Sequence, residues 1–119
     1  MAAYTELKVW QKSMDLAESV YALTGQFPRE EIYGLSAQMR RAAVSVPSNI
    51  AEGYGRDQSG YISQFLRVAL GSTREFETQL KLAVRLNLAT QERSHHASSL
   101  CDEVGKMLRG LIRSVEGGS

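Results

Sequence analysis

The segment 34–56, GLSAQMRRAAVSVPSNIAEGYGR, has the apolar spacing of an amphipathic helix. Its apolar residues recur at steps of three and four, which places them along one side of the helix. Pro47 lies inside this segment, where a proline removes one backbone hydrogen bond and clashes with the preceding turn. Because the apolar pattern continues past Pro47, we predict a kink there and not a break. The residues of this apolar seam are Leu35, Met39, Ala42, Val46 and Ile50.

Three further helices are predicted around this segment. The first ends before Gly25, which suits the left-handed position after a last turn, and Thr5 is its predicted N-cap. The third covers about residues 59–87, and Thr90 is the predicted N-cap of the fourth. The predicted seams are Leu7, Trp10, Met14, Ala17 and Tyr21 in the first helix, Ile62, Leu66, Ala69, Thr73, Phe76, Leu80 and Ala83 in the third, and Leu100, Val104, Met107 and Leu111 in the fourth.

Four amphipathic helices joined by short links favour one all-α domain over residues 1–119, an antiparallel up-down four-helix bundle. A helical hairpin exchanged between subunits is the structural alternative. Residues 116–119 are predicted to form a disordered tail. The sequence has no signal-peptide pattern and no apolar run of the ~18 residues that a membrane span needs. Its single cysteine, Cys101, cannot form an internal disulfide, so we expect a cytoplasmic protein without membrane contact.

The charges of the chain nearly cancel, with 14 basic and 13 acidic residues. A net charge of +1 gives no overall field that directs the chain to nucleic acid. Binding to RNA therefore requires a local basic patch. Helix three carries such a line, since its cations recur at steps of seven and four, although no aromatic residue punctuates the line for base stacking. Such a line can also contact an acidic partner, or it can simply keep the surface soluble, which is the simpler interpretation. The residues of this basic line are Arg67, Arg74, Lys81 and Arg85.

Helix two carries a second line of residues, which is polar. Short hydroxyl and amide side chains dominate it, unlike the Lys/Glu mixture of a typical solvated face. Such groups can satisfy backbone carbonyls near the proline, or they can pair across a subunit contact. A solvated face with local caps is the simpler interpretation. The residues of this polar stripe are Gln38, Arg41, Ser45, Asn49 and Glu52.

Reactive side chains are sparse in this sequence. His95 and His96 are adjacent and point about 100° apart on a helix, so they are poor joint metal ligands. Glu92 and His95 form one Glu-x-x-His unit, whereas helical di-iron sites need two. Cys101 lies beside the fourth seam and is expected to be a small core residue. We therefore expect no enzymatic site, no metal and no cofactor.

The segment Gly34 to Arg56, with its SVPSNIAEG element, strongly resembles the signature of a bacterial four-helix-bundle family. This family comprises small, ribosomal-protein-like proteins encoded in intervening sequences of large-subunit ribosomal RNA genes. LKVWQKS (7–13), FPREEIYGL (27–35) and FLRVALGSTREFETQL (65–80) are similar to further family motifs. Retroelement accessory variability proteins are more distantly similar. The resemblance implies a ring-like homopentamer, and it adds Arg56 to the polar stripe and marks Gly71 and Glu75 as motif positions.

The favoured hypothesis is a non-enzymatic homo-oligomeric scaffold or interaction module, pentameric by the resemblance, in which the polar stripe meets other copies of the chain. The alternative is an RNA-binding accessory protein, associated with ribosomal RNA or a reverse transcriptase, in which the basic line contacts phosphates.

Overall fold

Four α-helices make up most of the chain in the computed structural model, which describes residues 3–31, 33–56 and 58–117. They are α1 (Lys8–Thr24), α2 (Leu35–Gly55), α3 (Ser59–Arg85) and α4 (Gln91–Gly117). Short 3-10 helices at Tyr4–Glu6 and Arg29–Glu31 precede α1 and α2. These ranges contain no strand, and the helices form an elongated body of 47 × 21 × 20 Å. The predicted all-α four-helix fold is confirmed.

Each helix packs against two neighbours. α1 and α3 both pack against α2 and α4, and across the described ranges α1 and α3 lie on a diagonal, with no pair of Cα atoms within 8 Å. Contacts between α2 and α3 progress in opposite directions along the two helices. Gly53, near the end of α2, lies against Phe65, near the start of α3. Ser45, farther back in α2, lies against Ser72, farther along α3.

The apolar interior consists of two adjoining clusters. Leu16 and Phe76 are fully buried in one cluster, and Ile50 and Leu66 are fully buried in the other. Burying an apolar side chain of this size stabilises a fold by about 1.5–3 kcal/mol. The predicted seams of α2, α3 and α4 are confirmed, because every member is buried or half-buried.

The seam predicted for α1 is partly wrong. Met14 and Tyr21 are 37% and 49% exposed, whereas Leu16 and Val20 are fully buried. The buried side of α1 also includes Ser13, a polar residue that the apolar pattern excluded. Its hydroxyl donates to the carbonyl of Trp10 within the same helix at 2.7 Å. A serine whose hydroxyl is hydrogen-bonded within its own helix can be buried at low cost. The buried side of α1 is therefore rotated away from the predicted apolar seam.

The ends of the helices agree only in part with their predicted caps. Thr5 lies in the first 3-10 helix and caps nothing, because α1 begins later, at Lys8. Gly25 follows α1 with a φ of −62°, so its conformation is right-handed and not the predicted left-handed one. Thr90 is confirmed as an N-cap, since its Oγ1 accepts the backbone N–H of Arg93 at 3.0 Å.

The end of α3 is a Schellman motif centred on Asn87. The φ of Asn87 is 62°, a left-handed conformation that asparagine tolerates better than most residues. The backbone N–H of Leu88 donates to the carbonyl of Ala83 at 2.9 Å, and that of Asn87 donates to Val84 at 3.0 Å. These bonds end the helix at Arg85, two residues before the predicted end, and fix the path into α4.

α2 is continuous through Pro47, which is buried, and the kink stays a prediction. At the end of the chain, α4 continues through Glu116 to Gly117. The predicted disordered tail is therefore wrong for these two residues, because the Glu116 side chain bonds to α3. Residues 118 and 119 lie outside the described ranges.

Candidate functional site

The centre of the polar stripe joins α2 to α3 within one chain. The Asn49 Nδ2 group donates to the Ser45 carbonyl at 2.7 Å and to the Ser45 hydroxyl at 2.9 Å. The hydroxyl of Ser72 on α3 donates to the Ser45 hydroxyl, also at 2.9 Å. Both stripe residues are half-buried. Their hydrogen bonds thus explain much of the stripe's polarity without a second copy.

The C-terminal end of the stripe also has its partners within the same chain. Arg56 pairs with Glu52 one turn earlier at 3.9 Å, and both side chains are about half exposed. The Arg56 guanidinium lies over the rings of Tyr61 and Phe65, 5.4 and 5.6 Å from their centroids. Cation–π contacts of this kind contribute about 0.5–1 kcal/mol at exposed sites. Arg56 therefore fastens the end of α2 to the start of α3.

The N-terminal end of the stripe is exposed on the surface. Gln38 and Arg41 are exposed, and Arg41 has no carboxylate partner within the part of the chain that the structure describes.

Gln79 on α3 is a buried polar residue with an unsatisfied acceptor. It lies two turns beyond Ser72 on the same side of α3 and is only 8% exposed. Its Oε1 atom accepts no hydrogen bond from any described residue. A buried acceptor without a donor costs about 1–3 kcal/mol.

A line of exposed apolar residues follows α3 beside this stripe, and we call it the α3 ridge. It consists of Tyr61, Val68, Leu82 and Leu86, which are 43–55% exposed. Glu75 lies at the missing heptad position between Val68 and Leu82, so the five residues share one side of the helix. This ridge was not predicted from the sequence. Its heptad spacing is a signal of an exposed apolar line, but the buried α3 seam has a similar spacing, so the two lines are hard to tell apart in the sequence.

Two glycines in the helices have opposite surroundings. A Cβ atom on Gly53 would lie 2.9 Å from the Phe65 Cβ and 3.4 Å from the Ile62 Cα. A Cβ on Gly71 would have no atom within 4 Å among the described residues. Gly53 therefore permits the close approach of α2 to α3, whereas Gly71 lies on open surface next to the α3 ridge.

The basic line is interrupted by an ion pair at its start. The Arg67 guanidinium donates to the two carboxylate oxygens of Glu116 at 2.8 and 2.6 Å, and Ser63 donates to the same carboxylate. These hydrogen bonds from Arg67 and Ser63 lower the pKa of the Glu116 carboxyl from 4.5 to about 2. Arg67 is thus largely neutralised by the last turn of α4.

The remaining cations of the basic line lie in two separate recesses between α3 and α4. Arg74 lines a small one of about 90 Å³ together with the carboxylates of Glu77 and Asp102. Lys81 and Arg85 line a larger one of about 470 Å³, which we call the α3–α4 groove. Its other lining residues are Leu80, Val84, Gln91, Ser94, His95 and Ser98. The structure therefore does not present the four cations as one continuous surface.

The reactive groups remain dispersed. Cys101 is buried as expected, and its thiol donates to the Thr73 carbonyl at 3.4 Å. Burial, with the nearby carboxylates of Glu77 and Asp102, raises the pKa of this thiol from 9.0 to about 12. In residues 3–31, 33–56 and 58–117, no group of three His, Cys, Asp or Glu side chains could hold a metal ion. The same ranges contain no helix with an apolar stretch suited to crossing a bilayer.

Comparison with known proteins shows where the chain belongs. No curated protein matches it. It is similar to a solved structure from Bacteroides thetaiotaomicron, a protein of unknown function from the S23 ribosomal protein family, with a TM-score of 0.82. The two share 24% identity over 88% of this chain and 98% of that one, which supports the fold alone. A family model described as 23S rRNA-intervening sequence protein matches residues 5–110, so the chain belongs to the family of 23S rRNA-intervening sequence proteins.

Proposed function

We propose that the chain is a non-enzymatic subunit of a homo-oligomeric ring that serves as a scaffold or interaction module. The observation that carries this proposal is the α3 ridge, whose large apolar side chains stay about half exposed in the single chain. Apolar side chains that are exposed along one side of a helix give a partner subunit apolar surface to bury. Five subunits are proposed from the resemblance to the family.

Exposed polar residues on α2 lie where the rim of an interface centred on the α3 ridge would run, and Glu75 interrupts the ridge itself. Gln38 and Arg41 supply an amide and a positive charge, and Glu75 supplies a negative charge. Subunit interfaces commonly have an apolar centre that is surrounded by polar and charged groups of this kind. Together, the α3 ridge and this rim form what we call the α2–α3 face.

Gly71 supports the same proposal. A glycine inside a helix costs about 1 kcal/mol relative to alanine, and no contact within the described chain requires it. Because Gly71 has no side chain, a second copy of the chain could approach α3 closely at this point. A closed ring uses two different surfaces of each subunit, and the α2–α3 face supplies one of them.

Introducing charged side chains on the α3 ridge tests the proposal. Sedimentation velocity of Val68→Glu/Leu82→Glu is expected to show dissociation to single chains, because two carboxylates would be buried without partners. Met14→Glu/Val44→Glu is the matched control, since both of its positions are apolar and about 40% exposed on α1 and α2. Retention of the assembly by the α3 double variant, or equal loss in both variants, would contradict the α2–α3 face as the contact.

The second candidate is an RNA-binding accessory role. The specific observation in its favour is that Lys81 and Arg85 are both exposed and lie one helical turn apart on α3, because two adjacent cations can contact phosphates. A ring would repeat this pair and multiply weak binding by avidity. Filter binding of structured RNA is expected to weaken steeply between low and high salt. No retention at low salt would reject this role.

A further inference from the structure

The α3–α4 groove combines an apolar floor with a cationic edge. Leu80 is 5% exposed and Val84 is half-buried, and together they provide the apolar part of its lining. Lys81 and Arg85 stand on the exposed edge, one helical turn apart. The volume of about 470 Å³ falls within the range of about 300–1,000 Å³ that small-molecule sites occupy.

The two cations of the groove form no salt bridge among the described residues, and the nearest acidic residue along α3 is Glu77, one helical turn before Lys81. Lys81 and Arg85 are spaced like neighbours on a helix surface, where like charges destabilise each other. Neither has a carboxylate within 4.0 Å in the described ranges, in contrast to Arg67, which is neutralised by Glu116. Among the residues that the structure describes, no carboxylate lines the groove. Its electrostatic surroundings therefore favour an anion.

The opposite wall of the groove belongs to the first turns of α4 and is polar. Gln91, His95 and Ser98 are exposed there and can donate hydrogen bonds. Ser94 is buried, and its hydroxyl already donates to the Thr90 carbonyl at 2.8 Å. This wall is fixed relative to α3 by the Schellman motif and by the Thr90 cap, so the groove exists before any ligand arrives.

From these features we propose that the α3–α4 groove binds a small amphipathic anion. The apolar body of the ligand packs on Leu80 and Val84, and its carboxylate or phosphate head lies between Lys81 and Arg85. His95 on the facing wall donates a further hydrogen bond to the head. This site is separate from the α2–α3 face and does not depend on the proposed assembly.

Calorimetry and amide NMR with defined probes test this site. The probes are octanoate, octyl phosphate, octanol, inorganic phosphate and a single-stranded RNA oligonucleotide. At least one octyl anion is expected to bind and to shift the amide signals of Lys81, Arg85 and His95, and comparing octanoate with octyl phosphate identifies the preferred head. Octanol and inorganic phosphate are expected to bind at least tenfold more weakly, because each lacks one half of the ligand.

Two groove variants and one control locate the binding. Lys81→Gln/Arg85→Gln removes the cations, and Ser98→Trp fills the groove without changing its charge. Each is expected to weaken octyl-anion binding at least tenfold. The control Lys106→Gln/Arg113→Gln removes two exposed cations of α4 outside the groove and is expected to bind normally. Circular dichroism confirms that each variant is folded.

Three outcomes would overturn the proposal. The first is that neither octyl anion shifts the groove signals. The second is that the control variant loses as much affinity as the groove variants, because unspecific charge attraction would then explain the binding. The third is that RNA shifts the groove signals while both octyl anions do not, which would assign the cations to nucleic acid.

Discussion

Alanine at Gly53 and at Gly71 is expected to change the free energy of unfolding in opposite directions. Both residues lie inside helices, so each replacement gains up to about 1 kcal/mol from helix propensity. At Gly71 nothing described lies within 4 Å of the new Cβ, and the full gain should appear. At Gly53 the new Cβ would lie 2.9 Å from the Phe65 Cβ and 3.4 Å from the Ile62 Cα. α2 and α3 must move apart to relieve this steric clash. Inserting an extra methyl group into a packed contact of this kind costs about 1–3 kcal/mol.

Because the propensity gain is common to both variants, Gly71→Ala is expected to be more stable than Gly53→Ala by about 1–3 kcal/mol. Urea unfolding monitored by circular dichroism measures this difference, and dilute samples keep assembly from contributing. Equal midpoints for the two variants would refute the packing argument. A Gly53→Ala variant more stable than the parent would show that α2 and α3 do not meet closely at this point.

Three other outcomes follow from the structure. Arg41→Ala or Glu52→Ala is expected to lower the order of the oligomer or the stability of the subunit, and unchanged sedimentation and unfolding for both would count against the polar stripe. The pKa of about 12 lowers the thiolate fraction of Cys101 about a thousandfold relative to a thiol with a pKa of 9.0, so a disulfide reagent is expected to label it rapidly only after unfolding. Fast labelling of the folded chain would contradict the burial of Cys101. The pKa of the Glu116 carboxyl is depressed from 4.5 to about 2 in the folded chain, so the stability that its contact with Arg67 contributes is complete above pH 4.5 and is lost as the pH falls towards 2. An NMR titration of this carboxyl with a midpoint near 4.5 would disprove the contact.

The helices could be predicted from the sequence because apolar periodicity is a local property. The seam of α2 is buried as the spacing indicated, and the Thr90 hydroxyl caps α4 as its position suggested. The buried side of α1 could not be predicted in the same way. Ser13 and Thr24 are buried there because their hydroxyls bond to carbonyls of their own helix, and an apolar pattern gives no weight to such residues.

The candidate site was less predictable, since it depends on which residues of different helices meet. The sequence identifies Ser45 and Arg67 as members of two helical lines. It does not show that Ser72 bonds to Ser45 or that Glu116 neutralises Arg67, because these partners are 27 and 49 residues away. The exposure of the α3 ridge likewise depends on the directions from which α2 and α4 approach α3.

The mass of the native particle tests the central claim most directly, namely that copies of this chain associate with one another. Sedimentation equilibrium over a series of dilutions measures it without a reference shape. We predict a particle of several chains, five by the resemblance to the family, each of 13.2 kDa. A mass of 13.2 kDa at every concentration would contradict the account.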